Sequence, residues 1–313
     1  METVSILIAA YNAESFIHRA IESVLKQSVL PCEIIIVNDC STDNTKSVVE
    51  KIGVKSCLIK VIDMPINGGP AKARNAGIAA ASGTWIAVLD ADDALESNYI
   101  ETILKASGEF EADILASNFW WFDALKHENG NLGLEQESQQ IWVNKYEFVS
   151  GARPFNDEAD YGLLKPVFRT EFLRHNMLAY PESLRHGEDF MMMAESLLCG
   201  ARFLVINEPL YLYTVRSSGM SKTQVAYKKM ARFTLTLLNH KAVKNDQRMV
   251  KLIELRALSL RKFDAWIKFN NDLIERNIVN LVLRSLTDHH FATYMLSHVK
   301  KRTQQILHDR GLR

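Results

Sequence analysis

The chain has 313 residues, 47% of them hydrophobic and 24% charged, the balance of a folded protein with a sizeable core. No apolar run approaches the roughly 18–20 residues of a membrane-spanning helix. The first residues lack the basic start and cleavage site of a signal peptide, so the cytoplasm is the expected compartment.

Strands and helices alternate over the first hundred residues. Val4–Ala10 reads as a strand, and Ala13–Gln27 carries Phe16, Ile17, Ala20, Ile21, Val24 and Leu25 at helical spacing. Glu33–Asn38, branched at Ile34 to Val37, is a second strand. Ser41-Thr42-Asp43 offers a cap for a helix over Asn44–Lys51. Cys57–Asp63 is a third strand, a helix over Ala71–Ala81 follows Gly68-Gly69-Pro70, and Thr84–Leu89 is a fourth strand ending in Asp90-Ala91-Asp92-Asp93. Continuous apolar strands separated by helices imply a mostly parallel α/β sheet covered on both faces. In such sheets ligands bind beyond the carboxyl ends of the strands. Tyr11, Asp39, Gly68-Gly69 and Asp90 to Asp93 all fall there.

Beyond Asp113 the pattern becomes irregular. Asp113–Asn118 is expected as a strand, Trp120-Trp121-Phe122 as an aromatic cluster and residues 124–140 as a polar loop. Gly187-Glu188-Asp189 opens a helix through Leu198, and Ala201–Ile206 and Pro209–Val215 read as two strands. After residue 222, Ile253, Ala257, Leu260, Ile267, Ile278, Val282 and Leu286 recur at spacings of three and four, a helical extension. Four cysteines without paired spacing are read as free thiols, mostly buried. The overall net charge of zero is divided: residues 1–221 hold 18 Lys+Arg against 30 Asp+Glu, and residues 222–313 hold 19 against 7. The basic part fits an anionic surface, nucleic acid or lipid, or equally a solvated helix surface complementing an acidic body.

Several of these positions suit chemistry. Three carboxylates at the end of a buried strand repel one another and call for a cation, and oxygen ligands suit Mg²⁺ or Mn²⁺; the same acids also suit a solvated turn. Two glycines ahead of Arg74 let backbone approach a ligand, and the Arg74 fork suits a phosphate or a base edge. Asp39 can accept a nucleobase N–H or cap the next helix, and Tyr11 can stack or simply pack. Glu188 and Asp189 at a helix N-terminus fit a general base or a favourable first-turn acid. Arg216-Ser217-Ser218 can serve a diphosphate or form a polar loop.

Taken in order, Ala10-Tyr11-Asn12, Val37 to Asp43, Gly69 to Asn75, Leu89 to Asp93 and Gly187-Glu188-Asp189 resemble the inverting family 2 glycosyltransferases of GT-A fold. The resemblance covers roughly residues 3–221, and the overall character is similar to bacterial exopolysaccharide enzymes of the succinoglycan type. It implies a GT-A-like sheet flanked by helices over residues 1–221, a nucleotide half to about 108 and an acceptor half after it, followed by the basic helical extension 222–313. Ala10, Tyr11, Asp39, Gly69 and Arg74 would hold the uridine of a UDP-sugar. Asp90 would contact the ribose or the ion, Asp92 would bind Mn²⁺ or Mg²⁺, and Asp189, next to Glu188, would be the base. Arg216 takes a place where relatives often carry His.

The implied reaction is metal-dependent, inverting transfer of one sugar from a UDP-sugar to a glycan or a polyprenyl-diphosphate-linked acceptor. UDP-glucose is the first candidate donor, with Trp120 or Trp121 stacking on the acceptor or buried in packing. Neither a Gln-x-x-Arg-Trp motif nor membrane helices of a polymerising enzyme are present. The basic tail would hold the enzyme at the inner face of the plasma membrane, and nucleic acid is not an expected partner. Two alternatives come from other classes. A nucleotidyltransferase would carry a Gly-rich basic loop after the first strand, where this chain has Ala-Tyr-Asn-Ala-Glu. A non-catalytic sugar-nucleotide-binding protein would have no need of Glu188-Asp189.

Overall fold

The computed structural model describes residues 2–54, 56–124, 126, 128–215, 225–275, 277–293 and 296. The chain divides into two compact units, Met1–Ala152 with Glu158–Gln224, and Arg153–Asp157 with Val225–Arg313.

The first unit begins with β1 (Val4–Ala10), α1 (Ile17–Leu25), β2 (Glu33–Asn38), α2 (Thr45–Gly53), β3 (Ile59–Asp63), α3 (Pro70–Ala80) and β4 (Trp85–Asp90). These four strands are parallel, in the order β3-β2-β1-β4. Every residue of β2 is buried, and so is β4 from Trp85 to Leu89. That is why both strands are apolar without alternation: helices cover each face. The edge strand β3 is mostly half-buried or exposed and admits Lys60 and Asp63. Register pairs Ala10 with Asn38 and Ala9 with Asp90, so three strands end together and deliver Tyr11, Asp39 and Asp90 to one edge.

The unit continues with β5 (Ala94–Leu95), α4 (Tyr99–Glu109), β6 (Ile114–Asp123), β7 (Glu128–Leu132), β8 (Gln140–Val143), α5 (Lys145–Gly151), β9 (Val167–Arg169), α6 (Thr170–His175), α7 (Glu188–Leu198) and β10 (Phe203–Thr214). They extend the sheet to β3-β2-β1-β4-β9-β6-β10-β5, with β7 on β6 and β8 on β10. The parallel arrangement holds through β4 and again between β6 and β10, while β9 runs antiparallel to both of its neighbours. This matters for the site. A strand running against the others brings the residues before it, not after it, to the carboxyl edge of β4.

The second unit contains α8 (Tyr227–Thr236), α9 (Gln247–Ile274) and α10 (Ile278–Thr287). Ala231, Ala257 and Leu260 form one small core, and Ala265, Phe269 and Phe291 another. Phe155 belongs to this unit and packs edge-on against Phe263 and Trp266. Asp246 caps α9 by accepting from the Met249 N–H at 3.0 Å. Val279, Val282, Leu283 and Leu286 of α10 are exposed.

Several sequence expectations are corrected. The first helix starts at Ile17 rather than Ala13, because residues 13–16 form a turn in which Ala13 O accepts from Phe16 and Ile17. The third strand starts at Ile59 rather than Cys57. The expected loop 124–140 contains β7, whose polar residues give no strand periodicity because all five are exposed. The two strands expected at 201–206 and 209–215 are one, β10, with register shifts around Pro209; proline lacks the N–H a ladder needs, so the strand bulges there instead of ending. Cys32 and Cys57 are exposed and Cys40 and Cys199 half-buried, against the expectation of buried thiols.

Candidate active site

A cleft at the carboxyl edge is lined by Ala9, Tyr11, Asn12, Ala13, Asp39, Pro70, Ala73, Arg74, Asp90, Ala91 and Asp92. Tyr11 is half exposed there, while Ala10 is buried and contributes its carbonyl to the Asp39 N–H at 2.8 Å. Asp39 is buried, and its two oxygens accept from the Gly68 and Gly69 N–H groups at 2.7 and 2.8 Å. It therefore ties the end of β2 to the start of α3. Gly69 has φ +84°, a left-handed conformation that a side chain would strain. Pro70 follows at the first position of the helix, where its missing N–H costs nothing.

Arg74, 5% exposed, is the hub of the site. Its Nη2 lies 2.9 Å from Asp90 Oδ1, and its Nη1 lies 2.9 Å from both Glu188 Oε1 and Asp189 Oδ1. The guanidinium also lies 5.4 Å from the Tyr180 ring centre. The sequence reading places Arg74 beside a nucleobase; in the structure its fork is occupied by three carboxylates from two segments, the end of β4 and the start of α7. Asp189 and Glu188 reach it because Gly187, at φ 80°, turns the chain into α7.

A second cation, Lys165, was not expected from the sequence. Its Nζ lies 2.6 Å from Asp90 Oδ2 and 3.6 Å from Asp189 Oδ2. It arrives by way of the antiparallel β9, whose start is fixed at this edge by the Val88 N–H donating to Pro166 O. A lone lysine in Leu163-Leu164-Lys165-Pro166 carries no motif. The available signal was the excess of carboxylates, which demands cations without saying where they come from.

The electrostatics follow from burial and pairing. Burial pushes the Asp90 carboxyl up, but Lys165 and Arg74 outweigh it and hold it well below the usual carboxylate range. Glu188 is raised, by burial first and then by Asp189. Asp93 is buried and pushed up to about 7 by burial and then by Asp90 and Asp92. It accepts from Tyr211 Oη at 2.7 Å and the Thr214 N–H at 2.8 Å. The Asp92 carbonyl accepts from Arg19 Nη2 and Thr214 Oγ1. The backbone of the acidic turn is thus anchored to β10 and α1, and Asp92 lines the cleft.

Among the described residues no three His, Cys, Asp or Glu form a group able to hold an ion by themselves. Asp90 and Asp92 share the cleft, and one or two carboxylates completed by phosphate oxygens is a set suited to Mg²⁺ or Mn²⁺. Both oxygens of Asp90 are in ion pairs, with Arg74 and Lys165.

Trp120 and Trp121 are neighbours on β6 and so project to opposite faces. Trp121 packs against Tyr213 with ring centres 4.9 Å apart, and Lys165 Nζ lies 5.5 Å from the Tyr213 ring centre. Trp121 is therefore the one connected to the carboxylate cluster. Arg216 lies outside the described residues.

Comparisons with known proteins converge on one family. The model of glycosyl transferase family 2 matches residues 5–165. The succinoglycan biosynthesis protein ExoO of Rhizobium meliloti is 34% identical over 222 residues, covering 70% of this chain and 62% of that protein. Glycosyltransferase GlyG of Streptococcus pneumoniae is 28% identical over 71% of this chain and 74% of its own length. In structure, S. aureus TarS crystallised in complex with UDP-GlcNAc superposes with a TM-score of 0.65 at 24% identity, over 81% of this chain and 72% of that one. The GT-A-like fold is shared with it.

Proposed function

This chain belongs to glycosyl transferase family 2, and we propose that it is an inverting enzyme that moves one sugar from a UDP-sugar to a hydroxyl of a glycan or polyprenyl-diphosphate-linked acceptor. A role in bacterial surface polysaccharide synthesis is supported by likeness to succinoglycan biosynthesis proteins. The observation that carries the reading is the pairing of Asp189 with Asp90 through Arg74 and Lys165. A carboxylate exposed enough to meet an acceptor is locked to the strand end where a donor diphosphate would lie. Family membership sets the nucleotidyltransferase alternative aside.

In this reading Tyr11, Asp39 and the Gly68-Gly69 backbone form the uridine end of the cleft, and Asp90 and Asp92 its phosphate end. Asp189 is the base. Its side chain is 24% exposed, whereas that of Glu188 is 7% exposed, so Asp189 is the more open of the two to an incoming hydroxyl. The acceptor oxygen attacks C1 as the bond from C1 to the diphosphate oxygen breaks; the hydroxyl proton passes to Asp189 and UDP departs with the bonding electrons. One displacement inverts an α-linked donor to a β-linked product. A Mg²⁺ or Mn²⁺ ion held by Asp92, with Asp90 beside it, would neutralise charge on the departing diphosphate. Trp121 and Tyr213 line the acceptor side. The basic second unit would rest on anionic lipid at the cytoplasmic face of the membrane.

The test is a screen of UDP-sugars for hydrolysis or transfer, beginning with UDP-glucose and UDP-GlcNAc, with Mn²⁺ and with EDTA. Turnover of at least one donor is expected in Mn²⁺ and none in EDTA. Asp92→Ala should weaken donor affinity in Mn²⁺ and leave it nearly unchanged in EDTA. Equal turnover with and without chelator overturns the metal assignment, and turnover of no UDP-sugar overturns the donor assignment.

A further inference from the structure

Asp90 and Asp189 are each held at both oxygens by the same two cations. Arg74 takes Oδ1 of each at 2.9 Å, and Lys165 lies 2.6 Å from Oδ2 of Asp90 and 3.6 Å from Oδ2 of Asp189. Arg74 also serves Glu188, so three carboxylates share two cations. Without Lys165, one guanidinium would face all three. An aspartate anchored at a single oxygen rotates readily about its last side-chain bond, since that torsion is broad. A second anchor stops the rotation and fixes where the remaining lone pairs point. The lysine side chain is only 9% exposed, and its Nζ lies over the Tyr213 ring, 5.5 Å from the ring centre. Its ammonium is committed to these carboxylates.

We propose that Lys165 is a positioning residue: it aims the Asp189 carboxylate at the acceptor hydroxyl and links that aim to Asp90 at the donor end. The inference rests on Asp189 being the base. Lys165 then acts through Asp189, not on the substrate, and a transfer reaction should report this as a loss of rate rather than of donor binding.

The experiment is a kinetic double-mutant cycle on the full chain, with Lys165→Met, Asp189→Asn, their combination and Lys165→Arg. Lys165→Met should lower kcat by about 100-fold, the scale of a misplaced reacting group. Donor KM should stay within roughly threefold, because the lost interaction serves the transition state. Lys165→Arg, which keeps the cation, should recover most of the rate. The double variant should be no slower than Asp189→Asn alone, within about twofold, since coupled groups are not additive. Independent, multiplying losses overturn the proposal, as does a raised donor KM with unchanged kcat, which would put Lys165 on the donor. An Asp189→Asn variant with full activity overturns the base assignment itself, a distinct outcome. If Lys165→Met does not fold, Lys165→Gln takes its place in the same cycle.

Discussion

Glu188 and Asp189 are adjacent in sequence, share Arg74 Nη1, and differ in what else surrounds them. Burial and the neighbouring charge raise Glu188, and its side chain is almost closed to solvent. Asp189 has the more exposed side chain and a second cation beside it. Asp189→Asn keeps the size and removes the base. It should cut kcat by roughly 100-fold or more while calorimetric UDP binding stays intact, the range expected for general-base catalysis. Glu188→Gln should cost less in rate. An inactive Glu188→Gln beside an active Asp189→Asn would exchange their roles. At this scale the sequence singled out carboxylates that the structure brings together at Arg74, but not their partners. Arg74 to Glu188 spans 114 residues, a separation at which no local pattern records a contact.

At the level of elements, the strands are stapled at the edge opposite the cleft by Glu33. Buried at the start of β2, it accepts from Ser5 Oγ at 2.6 Å, and from the Ser82 N–H and Oγ at 2.6 and 2.8 Å. Lys60 Nζ lies 2.6 Å from its other oxygen. One side chain thus joins β1, β2, β3 and the turn before β4. Burial pushes its pKa up, but Lys60, Ser5 and Ser82 prevail and lower it from 4.5 to about 2. A depressed carboxyl stabilises the fold above its unfolded value and loses that contribution as pH falls through its folded value. The relevant window is therefore from about 4.5 down to about 2. The full shift corresponds to about 3 kcal/mol, and the exposure of Lys60 reduces this to about 2 kcal/mol. Urea unfolding should show the parent losing stability more steeply than Glu33→Gln across that window, the two curves converging at its acid end. Parallel curves would mean that Glu33 contributes no pH-dependent stability. Strand pairing of this kind was partly legible: β1 to β4 follow from apolar runs and helix spacing, whereas β7 has no apolar pattern to read.

For the whole molecule, the division of charge is the property that no single element explains. Residues 222–313 carry 19 Lys+Arg against 7 Asp+Glu, and α10 exposes Val279, Val282, Leu283 and Leu286. No described helix is long and apolar enough to cross a membrane. Basic residues near an anionic surface contribute on the order of 1 kcal/mol each, and exposed charges are screened by salt. Co-sedimentation with vesicles containing anionic phospholipid is therefore expected at low salt and should weaken steeply at high salt. Vesicles of neutral lipid should bind far less. No binding at low salt would leave the basic unit a structural or oligomerisation element.

The sequence by itself determined the alternation of buried strands and covering helices, and with it the edge at which Tyr11, Asp39, Asp90 and Asp92 gather. Those follow from short-range patterns, because a strand covered on both faces must be apolar throughout and its polar residues must wait for its end. Tertiary structure alone decided how the carboxylates are neutralised. Arg74 turns inward to Glu188 and Asp189, and Lys165 enters because β9 runs antiparallel between β4 and β6. Strand direction is set by how distant segments pair, and buried charges must find partners wherever the fold brings them.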